Sequence, residues 1–449
     1  MLQRQHGHCR TMTIGLEGPY ELSNHTIVVD DDDEVLVVGL LKRTAVRIKK
    51  SVWSQVKNFA FAPTDRAHSE LIQHLVASRV LKDSSFDETE FVRQQSAFAR
   101  ADPTVFGIII VPTLSCNMSC HYCFEQKTNR LNREAETLVD KIEHFVVSKL
   151  SNTETEALSL RWFGGEPLIR PKLVEDASTA LRRLAQSMGK RFAGDIVTNG
   201  YFLDRSTSAR IANAGITKAQ ITLEGDRDHH DSIRRHGKSG SFDRILDNIT
   251  TAENLIDISV RVHVTPESKD TIGKLFEQLK ARGLEAIIKS IYFAPLFNFR
   301  QDDPSRQFQD GSSGFLSSQE FAEIQHKLLK DAVANGFSTP DPLDVDYGVC
   351  SAVRDNTAVI HSDGSLAKCY LDAGDLSESF GTVYEGITQK QNLQKWREAE
   401  YANDPECASC TFSPVCLGGC SKHKASNPDK RFICTPLKFN AKEVLTTYY

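Results

Sequence analysis

Apolar and polar positions along the chain fall into three textures. The first spans residues 1–103. There "HTIVV" and "EVLVVGLL" flank the acidic run Asp30–Glu34 and read as strands joined by a solvated turn, with "TAVRI" as a third strand. Two segments with apolar residues at helical spacing follow, "HSELIQHLVASRVL" and "FDETEFVRQQSAFAR". The pattern predicts a small α+β unit.

The second texture, residues 104–300, repeats strand, loop and helix. "FGIIIVPT" is a continuous apolar run, as expected of a parallel strand buried on both faces. "ALSLRWF", "GDIVTNG", "KAQITLEGD", "ISVRVHVTP" and "AIIKSIYFAPL" continue the series, with helices predicted at "KLVEDASTALRRLAQSM", "RSTSARIANAG" and "KDTIGKLFEQLKARG". Six strands alternating with helices predict an α/β fold, a partial (β/α)6 TIM-like barrel, with chemistry at the strand C-termini. Residues 301–345 are polar and rich in Pro and Gly, a connecting segment around one helix. The third texture, residues 346–449, has little periodicity and many cysteines, which predicts a segment held by metal rather than by a large apolar core.

Composition narrows the functional classes. A net charge of −5 over 449 residues gives no global basic field, so nucleic acid is not an expected partner. No apolar run approaches the roughly 20 residues that cross a bilayer, and the start "MLQRQHGHCRTMTIG" lacks the apolar core of a secretory signal. The expectation is a cytoplasmic protein without a membrane partner. That compartment keeps thiols reduced. Of the eleven cysteines Cys9 stands alone, three fall at 116–123 and seven lie from Cys350 to Cys434, a clustering that points to metal ligation.

"SCNMSCHYCFEQ" places Cys116, Cys120 and Cys123 in the order C-x3-C-x2-C directly after the first barrel strand. Three such thiolates can share one iron–sulfur cluster and leave one iron without a protein ligand. A zinc ion completed by His121 is the alternative. "GGEP", Gly164, Gly165, Glu166 and Pro167, follows the second strand. There Gly165 allows close backbone approach and Glu166 can pair with an ammonium.

Together these motifs resemble the radical S-adenosylmethionine (SAM) enzymes, with Tyr122 in the aromatic position before the last cysteine. The resemblance implies that the GGEP turn holds the amino group of SAM and that "TNG", Thr198 and Asn199 with Gly200, contacts its ribose or carboxylate. It further implies that Arg234, in "HHDSIRR", lies near SAM. The vacant iron would be chelated by SAM, and cleavage of the sulfonium would yield a 5'-deoxyadenosyl radical that removes a hydrogen atom from the substrate. Two positions depart from the usual pattern: Glu224 where relatives commonly carry Asp, and His263 where Asn is frequent. Both bear on the contacts to SAM or substrate.

Cys350, Gly364 and Cys369, then Cys407, Cys410, Cys416, Cys420 and Cys434, resemble the SPASM domain of radical SAM enzymes that modify peptides and proteins. A zinc ribbon is the alternative. Three 4Fe–4S clusters with four cysteines each would need twelve, and the clustered set offers ten. By resemblance Cys407, Cys410, Cys416 and Cys434 close one auxiliary cluster. Cys350, Cys369 and Cys420 would hold the other with one iron open, to a substrate thiolate, water, another side chain or Cys9.

The resemblance implies a maturase that forms a thioether or carbon–carbon cross-link in a ribosomally made precursor peptide, with residues 24–48 as a candidate leader-docking edge and a low-potential flavodoxin or ferredoxin as electron donor. The rival reading is an anaerobic sulfatase maturase that oxidises Cys or Ser to formylglycine. That family typically carries an Asp base after the G-x4-C motif, whereas here Tyr370 follows Cys369 and Asp372 comes two positions later. Tyr370 and Asp372 are the positional candidates for late proton transfer. Maturation of a quinone cofactor in a larger protein shares the machinery, and a noncatalytic iron–sulfur carrier or zinc-binding module is the reading from another class.

Overall fold

The computed structural model describes residues 20–58, 66–125, 135–297, 315–344, 350–398, 401–422 and 434–449; Cys9 and the polar stretch 298–314 lie outside them. The chain divides into two compact units, residues 1–92 and 93–448.

In the first unit, β1 (Tyr20–Leu22) is followed by β2 (Thr26–Asp31), β3 (Glu34–Gly39) and β4 (Thr44–Lys49). The last three form an antiparallel sheet in the order β2-β3-β4. Helices α1 (Lys50–Lys57) and α2 (Arg66–Ala77) come next, and β5 (Leu81–Asp83) pairs back on β1. Val35, Val37 and Ile48 face Trp53, Val56, Ile72 and Leu75 in one apolar core; the strands and α2 were predicted, whereas α1, which carries Trp53 and Val56, was not. Helix α3 (Glu88–Ala101) begins in this unit.

The second unit is built on β6 (Val105–Val111), α4 (Ala135–Leu150), β7 (Ala157–Trp162), α5 (Pro171–Ser187), β8 (Arg191–Thr198), α6 (Arg205–Asn213), β9 (Ile216–Leu223), α7 (Arg227–Ile233), α8 (Phe242–Thr251), β10 (Asp257–Val264), α9 (Ile272–Lys280) and β11 (Ser290–Pro295). The six strands are parallel neighbours in the order β11-β10-β9-β8-β7-β6. This is the predicted partial barrel, and among the described residues β11 does not pair with the far end of the sheet. The sixth strand is shorter than predicted: Ile287 and Ile288 donate to Leu284 O in turns, so "AII" closes the preceding turn rather than opening β11. Helix α4 was not predicted, although Leu138, Ile142, Val146 and Leu150 form a buried i, i+4 stripe.

Alternation sends one set of strand residues outward to the helices and the other inward. Trp162 donates from Nε1 to Ser178 Oγ on α5 at 2.9 Å, and Phe106 meets Phe145 on α4 edge-on. The neighbours Arg161, Phe163, Gln220, Thr222, Arg261 and His263 line the interior.

Beyond helix α10 (Ser318–Ala334) the sheet continues. Strand β12 (Thr357–His361) pairs in parallel with β6, from Thr357↔Gly107 to His361↔Val111. Then β13 (Ser365–Ala367), β14 (Gly381–Thr382) and β15 (Gly386–Ile387) complete ten strands. Gly364, φ +83°, turns the β12–β13 hairpin, a conformation that L side chains rarely adopt. This region was expected to lack strong elements. Its signal was the Asp363-Gly364 pair between "AVIH" and "SLA", a hairpin signature. After α11 (Lys390–Glu398), the cysteine-bearing α12 (Pro405–Ala408) and α13 (Ser413–Cys416) are four-residue helices, and helix Leu437–Tyr448 packs on α10. Among the described residues no helix is long and apolar enough to cross a membrane.

Candidate functional site

The loop after β6 carries Cys116, Cys120 and Cys123, which are free thiols, as are all ten described cysteines. It is fastened to the turn after β7. Gly165 N donates to Thr113 O at 3.1 Å and Glu166 N to Ser115 O at 3.0 Å. A Cβ on Gly165 would come within 2.3 Å of Ser115 O and 2.7 Å of Leu114 O. The close approach that this glycine permits is therefore to the backbone of the cysteine loop.

Glu166 is fully buried and works as a knot. Its Oε1 accepts from Leu168 N at 2.9 Å and from Thr198 Oγ1 at 2.8 Å, and its Oε2 accepts from Asn199 N at 2.7 Å. Burial holds its pKa above the ordinary value against those hydrogen bonds. Asn199 in turn donates from Nδ2 to Asn117 Oδ1 at 2.8 Å, inside the cysteine loop. The GGEP turn, the TNG turn and the thiols are thus one hydrogen-bonded assembly.

A second assembly grips the loop at Tyr122. Arg234 donates to Glu224 Oε1 at 2.6 Å and to the Tyr122 hydroxyl at 2.7 Å, and that hydroxyl also bonds Glu224. His263 Nδ1 lies 3.0 Å from Glu224 Oε1. Burial works against ionisation of Glu224, but His263 and Arg234 together hold its pKa far below the usual carboxylate range. The two departures from the family pattern, Glu224 and His263, prove to be partners. Behind them His230 is buried and neutral, its pKa lowered by burial to about 4. Its Nδ1 accepts from Glu224 N at 3.4 Å, and its Nε2 faces Ser241 Oγ at 3.1 Å.

Both assemblies border a cavity of about 600 Å3, lined by all three loop thiols and by Cys416, Cys420 and Cys434. Gly164, Gly165, Thr198, Asn199, Tyr122 and Arg234 line it too, whereas Glu166, Pro167 and Glu224 stand behind its wall. Burial pushes the Cys116 thiol up to about 12 and the Cys123 thiol up to about 11.

The remaining thiols form two further groups. Cys407, Cys410, Cys416 and Cys434 surround a small cavity of about 30 Å3. Cys369 has Cys350 and Cys420 as electrostatic neighbours, which add to the upward shift that burial imposes on it. Among the described residues no three His, Cys, Asp or Glu side chains gather as around a single metal ion; the thiols are set around cavity walls instead.

Of the two proton-transfer candidates, Tyr370 lines the large cavity and packs on Phe163 at a ring distance of 4.5 Å. Burial and the adjacent Cys369 push its phenol up to about 12. Asp372 is fully buried away from the cavity and pairs with Lys422 at 2.6 Å. Sequence reasoning passed over Arg161 and Arg261, which interrupt apolar strands on their inward faces. The signal was there, since a charged residue inside a doubly covered parallel strand needs a reason.

Residues 110–279 match the Radical SAM superfamily. The chain is 22% identical over 327 residues to PqqA peptide cyclase of Granulibacter bethesdensis, covering 70% of this chain and 82% of that protein. It is 20% identical over 352 residues to the cysteine-type anaerobic sulfatase-maturating enzyme of Clostridium perfringens (strain 13 / Type A), covering 72% and 90%. The solved structure of native anSMEcpe with bound AdoMet has the same fold, with a TM-score of 0.58 at 17% identity over 76% of this chain and 96% of that one. The chain thus carries a radical SAM domain.

Proposed function

We propose that this protein is a radical SAM peptide maturase that forms an intramolecular thioether or carbon–carbon cross-link in a ribosomally made precursor peptide. The observation that carries the reading is one cavity bordered by the three loop thiols, by the GGEP and TNG turns and by thiols of the C-terminal field. Relatives named for peptide cyclisation and for sulfatase maturation support a peptide or protein as substrate.

The donor set fits the cofactors. Thiols spread around cavity walls suit a cube of irons better than one zinc ion. Cys116, Cys120 and Cys123 would hold the SAM-binding cluster, Cys407, Cys410, Cys416 and Cys434 one auxiliary cluster, and Cys350, Cys369 and Cys420 another. When bound, the reduced cluster and SAM supply a 5'-deoxyadenosyl radical that takes a hydrogen atom from the substrate. The chain's own part is placement. Glu166 ties the SAM-facing turns to the ligand loop, Arg234 and Glu224 fix Tyr122, and the packed rings of Phe163 and Tyr370 form part of the cavity wall.

Further parts of the reading are the division into a docking unit (1–103), a radical core (104–300), a connecting segment (301–345) and an auxiliary domain (346–449). The outer strands β2 and β4 of the first sheet are the candidate leader-docking strands. A flavodoxin or ferredoxin would supply electrons in the cytoplasm. The second reading, formylglycine formation, is favoured by the sulfatase-maturase likeness but lacks a cavity-facing acid beside Cys369, since Asp372 pairs with Lys422.

The test is anaerobic incubation of iron-reconstituted protein with SAM, dithionite and the short peptide encoded beside its gene, followed by mass spectrometry. A peptide lighter by two hydrogens, with one 5'-deoxyadenosine per event, is the expected result. Modification of a sulfatase-derived peptide instead would establish the second reading, and no 5'-deoxyadenosine from iron-replete protein would sink both.

A further inference from the structure

We propose that Arg261 is a carboxylate-binding residue set in the wall of the large cavity, and that the carboxylate belongs to the substrate peptide. This rests on the peptide-modifying reading and adds to it what the substrate must carry.

Among the described residues three guanidinium groups line the cavity. Two have carboxylate partners: Arg161 is held by Asp195 at 2.6 and 3.1 Å, and Arg234 by Glu224 at 2.6 Å. Arg261 has no ion pair or hydrogen bond with any described residue, and its Nε is buried without a partner. A guanidinium has five N–H donors and stays charged in any protein, so a half-buried one with unused donors is costly until an anion arrives.

Among the described residues the surroundings offer no substitute. Across the strands Arg261 is level with Thr222 on β9 and Tyr292 on β11. Tyr292 donates its hydroxyl proton to Gln220 Oε1 at 2.6 Å. Glu224, two strand positions beyond Thr222, is committed to Arg234, Tyr122 and His263. The uncompensated charge is felt locally: burial lowers the His263 pKa against the pull of Glu224, and Arg261 lowers it further.

A carboxylate offers the bidentate geometry that satisfies two of these donors at once. It has two sources here, a peptide (an Asp or Glu side chain, or a C-terminus) and the carboxylate of SAM. Arg261 lies within β10, three residues before its end, whereas the GGEP turn lies beyond the end of β7 and the TNG turn starts at the last residue of β8. That depth favours the peptide.

The test measures binding without turnover. Iron-reconstituted, SAM-loaded enzyme with no reductant is titrated with the peptide encoded beside its gene. A parallel series has each Asp or Glu replaced singly by Asn or Gln, or the C-terminus amidated. One amide peptide should bind wild type roughly ten- to a hundredfold more weakly than the parent. Arg261→Gln should bind the parent as weakly as wild type binds that amide peptide, with no further loss on amidation, and Arg261→Lys should recover part of the difference. Affinity for SAM and iron content should be unchanged.

Equal binding of every peptide by wild type would overturn the proposal, and this arm stands even if the variants fail to fold. Weakened SAM affinity in Arg261→Gln with intact peptide discrimination would assign the carboxylate to SAM and overturn it as well. An enzyme that ignores the neighbouring peptide but binds and modifies a sulfatase-derived one would refute the cross-linking reading. The same amide series on that peptide then decides Arg261 separately.

Discussion

The loop bearing Cys116, Cys120 and Cys123 is braced from outside itself. Buried Glu166 ties its neighbours together, and Glu224 with Arg234 holds Tyr122. The thiols of residues 407–420 sit in a different kind of structure. Their helices are four residues long, and Leu417, Gly418 and Gly419 run consecutively at positive φ. Few large apolar side chains from this stretch reach the interior. On the proposed cluster assignment, the scaffold organises the ligands in the first case, and in the second the ligands and the cluster they would hold organise the scaffold.

Removing the metal is the harshest way to break this comparison. Chelation of iron from reconstituted protein should open residues 401–422 to protease while the barrel and the 115–125 loop stay resistant, as read by mapping the cleavage sites. Equal resistance of both fields would mean that the second is as self-supporting as the first.

Next in size is Glu224→Ala. It leaves Arg234 buried without its carboxylate and removes one of the partners of Tyr122, and it should cost about 3–5 kcal/mol, seen as a lowered denaturation midpoint. Iron at the proposed auxiliary clusters should be retained. A loss of auxiliary iron in step with stability would show that the two fields are not independent.

His230 sharpens the picture through pH. Folding keeps it neutral down to about 4, while the unfolded chain takes up the proton near the ordinary 6.5. Its contribution is therefore complete above pH 6.5 and lost as pH falls towards 4, about 3 kcal/mol in all. Unfolding midpoints of wild type and His230→Asn across this window should converge at the acid end; a constant gap would contradict the assignment.

The smallest effect marks the background. Lys172 and Asp176 form an exposed i, i+4 pair on α5. Lys172→Ala should change stability by no more than about 0.5 kcal/mol, below the other variants by thermal denaturation.

Legibility followed the range of the interactions. The thiol positions and the six strands were readable because each is written within a few consecutive residues. Glu166 could be seen as an acid near an expected ammonium, but its partners Thr198 and Asn199 come more than thirty residues later, and only the parallel register of β7 and β8 brings them together. Glu224 and His263 looked like two separate departures and are one pair. Strand β12 was missed because five residues, "TAVIH", carry little periodicity, and because its partner β6 lies far back in the chain.

That last pairing has a consequence for biosynthesis. Gly107 must wait for Thr357, so one edge of β6 stays open while the intervening residues, roughly 250 of them, are made. At about 5–20 residues per second the delay is about 12–50 s. For that time an apolar strand edge next to the cysteine loop is available to any other chain, the kind of template on which nascent proteins aggregate. The chain's last third thus shields its first barrel strand, and a ribosome that stalls before residue 357 would release the barrel with that edge uncovered.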